Sequence, residues 1–220
     1  MEAHKGSNEA VPKARRGGSR EAIVESAARL FLERGFGSVS MDELAEAAGL
    51  ARRTLYNQFA SKEEIFREML VRVSGQLEDA FPPGIETQGD VEDALRLIAR
   101  AILELHKHPE YLGFLRMVVA EFRQFPWIAE AFAAVMEPQT ERLTRYLAHQ
   151  TAMGILDCQN PMVAAHQFMG VLNEFSLWPW MMGRKGPSVP AEELVEETIR
   201  MFLQHYRRPR SEGRGDDGGA

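Results

Sequence analysis

Residues 48–59 read "AGLARRTLYNQF". Gly49 interrupts the chain, and the residues after it have helical spacing, with Leu50, Leu55 and Phe59 as the large apolar side chains. On a helical wheel Leu55 and Phe59 point together towards a core. Arg53, Thr54 and Asn57 lie on the far side, Tyr56 and Gln58 on the flanks, and Arg52 at the N-terminal tip. One side of this short helix is anchored, while the other is crowded with hydrogen-bond donors that need a partner.

The flanking sequence supplies a context. Ser40-Met41-Asp42-Glu43 reads as a capping box opening a helix in which Leu44, Ala45 and Ala48 face inward. An earlier helix is predicted from about Arg20 to Arg34, with Ile23, Ala27, Leu30 and Phe31 on one face and Gly35 ending it. Ser61-Lys62-Glu63-Glu64 is a second capping box, starting a fourth helix over 61–81. Two short helices joined by a glycine turn form a helix-turn-helix, whose second helix enters the DNA major groove. In that geometry Arg52 and Arg53 meet base edges, because arginine pairs bidentately with guanine. The Thr54 and Tyr56 hydroxyls suit phosphate oxygens, and Asn57 shares the open face. Ser40 and Lys62, at helix starts, are placed to hold phosphates with backbone N–H groups.

Beyond this region the pattern stays helical. Pro82-Pro83-Gly84 and the polar run to Asp90 read as a linker. A fifth helix spans Val91 to about Leu105. A sixth carries Tyr111, Phe114, Leu115, Val118 and Phe122, and a seventh, about Trp127 to Met153, is bent or broken at Pro138. Asn160-Pro161 opens the eighth, and the ninth covers about Pro190 to Tyr206. The fold class is therefore all-α, with about nine helices. Residues 1–18 form a disordered basic arm, 19–66 the helix-turn-helix domain, 67–206 a helical regulatory and dimerisation domain, and 207–220 a disordered tail. Lys13, Arg15, Arg16 and Arg20 of the arm either reach DNA or serve as a solubilising tail.

Charge agrees with this division. The 220-residue chain has a net charge of −6, but residues 1–62 hold 10 Lys and Arg against 8 Asp and Glu, and residues 63–220 hold 16 against 24. A slightly basic front suits a polyanion, whereas the acidic body does not. Cys158 is the only cysteine, which excludes a disulfide framework and a thiolate metal cage and fits a reducing cytosol. The N-terminal stretch has no apolar run after its charges, as a secretory leader would. "FMGVLNEFSLWPWMMG" (168–183), the most apolar stretch, is interrupted by Asn173 and Glu174 and too short to span a bilayer. A cytoplasmic protein with no membrane partner is expected. His106 and His108 are two apart, unlike the i, i+4 spacing of a helical metal pair, and no nucleophile elbow, phosphate loop or zinc-protease motif occurs. No metal, cofactor or enzymatic activity is expected.

Residues 22–66, "AIVESAARLFLERGFGSVSMDELAEAAGLARRTLYNQFASKEEIF", resemble the DNA-binding domain of TetR-family transcriptional regulators. The landmarks are Ala27-Ala28, Leu30-Phe31, Gly35-Phe36, Ser40-Met41, Leu44-Ala45, Ala48-Gly49, Thr54-Leu55-Tyr56, Phe59 and Ser61-Lys62-Glu63. The similarity implies DNA contacts by Ser40, Arg52, Arg53, Thr54, Tyr56 and Lys62. Two residues depart from the family pattern: Ala51 stands where a Ser or Thr cap is common, and Gln58 where a histidine is frequent. The body is loosely similar to AcrR- and AefR-like members. That resemblance implies a ligand pocket enclosed by helices five to seven, and pairing with a second subunit through helices eight and nine.

Phe114, Met117, Val118, Phe122, Phe132, Met136, Phe168, Met169, Leu172, Phe175 and Trp178 are bulky, adaptable side chains suited to such a pocket, with Arg116, Glu121, His166 and Asn173 as polar anchors. The same residues could simply fill a bundle core. The expected function is a homodimeric repressor on a palindromic double-stranded operator, its two recognition helices about 34–36 Å apart. A small apolar or aromatic effector would release it by displacing helix four. A helical protein-interaction module, or a small-molecule-binding bundle without operator binding, remains the alternative.

Overall fold

A computed structural model describes residues 16–79, 90–184, 186–187 and 189–209, and no strand occurs among them. The chain forms two compact units whose boundary falls between Met69 and Leu70. The first contains α1 (Arg16–Arg34), α2 (Met41–Ala47), α3 (Arg52–Tyr56) and the start of α4 (Lys62–Asp79). The second contains α5 (Val91–Leu105), α6 (Pro109–Glu121), α7 (Pro126–Ala152), α8 (Pro161–Leu172), α9 (Trp178–Met181) and α10 (Ala191–Tyr206). The proline linker, Lys13 and Arg15 of the arm, and the tail from residue 210 lie outside the described residues.

The first unit closes around aromatic rings. Phe31 and Phe36 lie 5.2 Å apart and Phe36 and Phe66 5.6 Å, while Leu44, Leu55, Phe59 and Ile65 are buried beside them. Tilted and edge-on pairs of this kind add to simple area burial. Residues 16–18, expected to belong to a disordered arm, are helical, because α1 already begins at Arg16. The cause lies at Ser19 and Arg20. Ser19 is buried, and Arg20 donates to the Gln58 carbonyl (2.9 Å) and to Glu68 (2.9 Å) with its guanidinium 4.0 Å from the centre of the Phe59 ring. Arg20 is thus a tether between α1, the end of the α3 segment and α4.

The second unit is built on α5, α7, α8 and α10, whose core includes Ile98, Ile102, Leu143, Leu147, Phe168, Leu172, Ile199 and Phe202. Of the bend or break expected at Pro138, the break does not occur: α7 is one helix through Pro138. Proline inside a helix costs about 3 kcal/mol, and burial of Ile128 before it and of Leu143, Tyr146 and Leu147 after it offsets that cost. The eighth helix does not stop at Leu172. It passes through a π-helical segment (Asn173–Leu177) into α9, with the Trp178 N–H donating to the Asn173 carbonyl. Pro179 follows directly, lacks a backbone donor and would crowd a carbonyl in the preceding turn. One wider turn just ahead of it accommodates both problems. Counting α8, the π segment and α9 as one rod gives nine rods among the described residues.

The predicted tail also begins too early. The Asp157 N–H donates to the Tyr206 carbonyl (2.8 Å) and the Arg208 N–H to the Ile155 carbonyl (3.1 Å), which fastens the end of α10 to the α7–α8 turn.

Candidate nucleic-acid interface and ligand cavity

Leu55 and Phe59, both buried, fix the orientation of α3 within its unit. Opposite them Arg53, Tyr56 and Asn57 are exposed, and their side chains make no hydrogen bond or ion pair among the described residues. Thr54 is half-buried. Arg52 is exposed but paired with Asp42 of α2 at 2.9 Å. The tandem arginines therefore differ, one bracing α3 against α2 and the other open.

Gly49 makes the turn, with φ +65, and a Cβ there would meet nothing within 4 Å. Glycine is required by backbone conformation rather than by space. At the start of α3, Ala51 has extended backbone angles but offers no side-chain acceptor. Ala51→Ser supplies one and is expected to stabilise the protein by about 1 kcal/mol, read as a higher urea midpoint at unchanged slope.

The starts of α2 and α4 are closed by the protein's own carboxylates. Glu43 accepts from the Ser40 hydroxyl (2.7 Å), the Ser40 N–H (2.7 Å) and Arg34 (2.7 Å). These bonds, led by the Ser40 hydroxyl, hold its carboxyl at about 2. Glu64 accepts from the Ala60 N–H at 2.7 Å. The Lys62 ammonium donates to the Phe36 carbonyl at 2.9 Å and lies 4.7 Å from the centre of the Phe36 ring. Of the predicted DNA contacts, then, Ser40, Arg52 and Lys62 are engaged within the unit, whereas Arg53, Tyr56 and Asn57 are open.

The second unit encloses a cavity of about 490 Å³. Four predicted apolar residues line it, Phe132, Met136, Met169 and Trp178, together with the predicted anchors His166 and Asn173. The others lie elsewhere. Phe168 and Leu172 are in the bundle core, where Phe168 meets Phe202 edge-on at 5.4 Å. Phe114, Met117 and Val118 are buried off the lining, with Phe114 6.3 Å from Phe132. Phe122 is exposed, and Phe175 lines a separate groove of about 660 Å³ with residues of α8 and α10. Arg116 donates to the carbonyls of Trp180 (2.6 Å) and Met181 (3.2 Å), and Glu121 is not on the lining. Helical phase explains the division, since neighbours such as Phe168 and Met169 point about 100° apart.

Sequence reasoning missed His106, Tyr111 and Gln139 on the lining. His106 is only 2% exposed, its Nδ1 has no hydrogen-bond partner among the described residues, and its ring stacks on Tyr111 at 6.4 Å and 14°. Burial lowers its pKa to about 4 and raises that of Tyr111 to about 12. Gln139 is 7% exposed with its Oε1 likewise unpartnered. The signal for His106 was present, because it continues the buried stripe Ile98, Ile102 at the next i+4 step. Among the described residues no helix is long and apolar enough to cross a membrane, and no group of three or more side chains could hold a metal ion.

Comparison with known proteins agrees with both units. Residues 23–69 match the model for bacterial regulatory proteins of the tetR family, and residues 93–208 match that for the AefR-like transcriptional repressor C-terminal domain. The chain is 34% identical to the HTH-type transcriptional regulator EthR of Mycobacterium tuberculosis, over 90% of this chain and 94% of that one. It is 30% identical to the HTH-type transcriptional repressor KstR2 of Rhodococcus jostii, over 54% and 67% of the two chains. Among solved structures, the Flavonoid-responsive Regulator FrrA superposes with a TM-score of 0.76 at 30% identity, covering 89% of this chain and all of that one. These relatives are named as regulators rather than enzymes. An open helix-turn-helix face and family matches over both units lead to one conclusion: the chain belongs to the TetR family of bacterial DNA-binding transcriptional regulators.

Proposed function

We propose that the protein is a homodimeric repressor that reads a palindromic operator with two copies of α3 and is released by an apolar or aromatic effector held in the cavity. The observation that carries the reading is the open face of α3, where Arg53, Tyr56 and Asn57 stand unpartnered over a buried Leu55–Phe59 anchor. Repression is supported by the AefR-like repressor match and by the name of KstR2. An aromatic effector is supported by the lining of Phe132, Tyr111 and Trp178, and by the flavonoid response for which FrrA is named.

Pairing through α8 and α10 is supported by Phe175 and Met201, exposed apolar side chains that line one groove with residues of these two helices. Such a concentration is the mark of an interface rather than of a solvated face. For coupling, α4 is the natural lever. It carries Phe66 and Met69 in the first unit's core, and Val73, four residues later, packs against Leu105, Tyr111 and Leu115 of the cavity wall. Effector binding need favour one setting of this helix by only about 1–3 kcal/mol.

Selection of bound fragments from random duplex DNA tests this reading. It should recover inverted half-sites centred about 10–11 base pairs apart, with log affinity falling as log salt rises. Recovery of no shared sequence, or binding indifferent to salt, would instead favour a helical interaction module.

A further inference from the structure

The cavity limits the charge of what it can hold. Its lining contains no lysine, arginine, aspartate or glutamate. It does contain two polar side chains more than nine-tenths buried, His106 and Gln139, each with a polar atom that has no partner among the described residues. Buried polar groups left unpaired are rare and unfavourable, and a site lined with them selects for whatever completes them. Tyr111 and Trp178 add flat apolar surface, and the exposure of Trp178 and Val119 shows that the cavity is not sealed.

From this we infer that the effector is an uncharged molecule, apolar over most of its surface, that presents a hydroxyl group to His106 and Gln139. The inference rests on the cavity being the effector site, as proposed above. A neutral imidazole has one donor and one acceptor nitrogen, and an amide offers a donor and an acceptor. A hydroxyl, which both donates and accepts, can bond to either. An anionic ligand such as a fatty carboxylate would lose its water here and meet no opposing charge. His106 does not supply that charge at neutral pH, since burial holds it unprotonated down to about 4.

Three ligands of one shape separate the possibilities: biphenyl, 4-phenylphenol and biphenyl-4-carboxylate, titrated into the full chain at pH 7.5. Binding is followed by tryptophan fluorescence and calorimetry. The phenol is expected to bind at least about tenfold more tightly than either of the others, as a completed buried hydrogen bond implies. Gln139→Leu and His106→Leu should each reduce its advantage over biphenyl, while Met169→Trp, which fills the cavity, should block all three. A carboxylate that binds as tightly as the phenol, or with uptake of a proton, would overturn the inference. So would a phenol preference unchanged in both leucine variants. In these cases blockage by Met169→Trp would leave the cavity itself standing as the effector site. Absence of binding by all three, or binding that Met169→Trp leaves untouched, would remove the cavity reading and this inference together.

Discussion

Arg53→Ala is expected to lose most of the operator affinity, with Arg52→Ala losing less. A bidentate arginine–guanine pair contributes about 1–3 kcal/mol of discrimination, and a symmetric dimer uses each pair twice, so the loss approaches roughly 2–6 kcal/mol per operator. Arg53 brings this energy undiminished because it has no partner to give up among the described residues. Arg52 must first leave Asp42 at 2.9 Å, an exchange that returns part of what a base contact provides. Anisotropy titrations of the selected operator at one fixed salt concentration distinguish the two. Urea unfolding should move by no more than about 0.5 kcal/mol in either variant, since both side chains are exposed. Equal losses from the two alanines, or undiminished binding by Arg53→Ala, would contradict the assignment.

The second large effect is on stability against acid. His106 titrates near its ordinary value when the chain is unfolded but at about 4 when buried in the second unit. The unfolded state therefore takes up a proton first as pH falls, and the folded state loses stability between roughly 6.5 and 4. Above that window nothing is lost. Across it the loss is roughly 3 kcal/mol, of which about 2 kcal/mol is gone by pH 5. His106→Leu should flatten this slope. Glu43 works in a lower window, because its depressed carboxyl protonates only as pH falls from the ordinary carboxylate range towards about 2. Denaturant midpoints taken between pH 7 and 5 therefore report on the histidine. A slope in that range that survives His106→Leu would show that another group is responsible.

Much of the reader was legible because short-range rules decide it. The capping serine of α2, the Gly49 turn and the Leu55–Phe59 spacing are local signals, and each appears where the sequence placed it. What the sequence could not show was which charged residues were already taken. Arg20 reads as part of a basic arm in the sequence, whereas in the structure it donates to Glu68, 48 residues away. Lys62 reads as a phosphate ligand in the sequence, and nothing there signals that its ammonium also donates to the Phe36 carbonyl at 2.9 Å. The cavity was less legible because type alone cannot separate wall from core on a helix apolar all round. Phe168 and Met169 are equally greasy, and only the packing of α8 against α10 and α7 sends one inward and the other to the cavity. The π-helical turn at 173–177 shifts that phase again, and it carries Asn173 and Leu177 onto the lining.

The carboxylates that close α2 and α4 also bear on how the protein travels along a chromosome. On the reading proposed above, Glu43 and Glu64, which accept from the Ser40 and Ala60 N–H groups, set negative charge beside these two helix starts and would repel the phosphate rails of a duplex. Loose, sequence-blind adhesion would thereby be kept shallow. The search for a correct site would then be slowed little by wrong ones, with selectivity left to the few side chains that stand open.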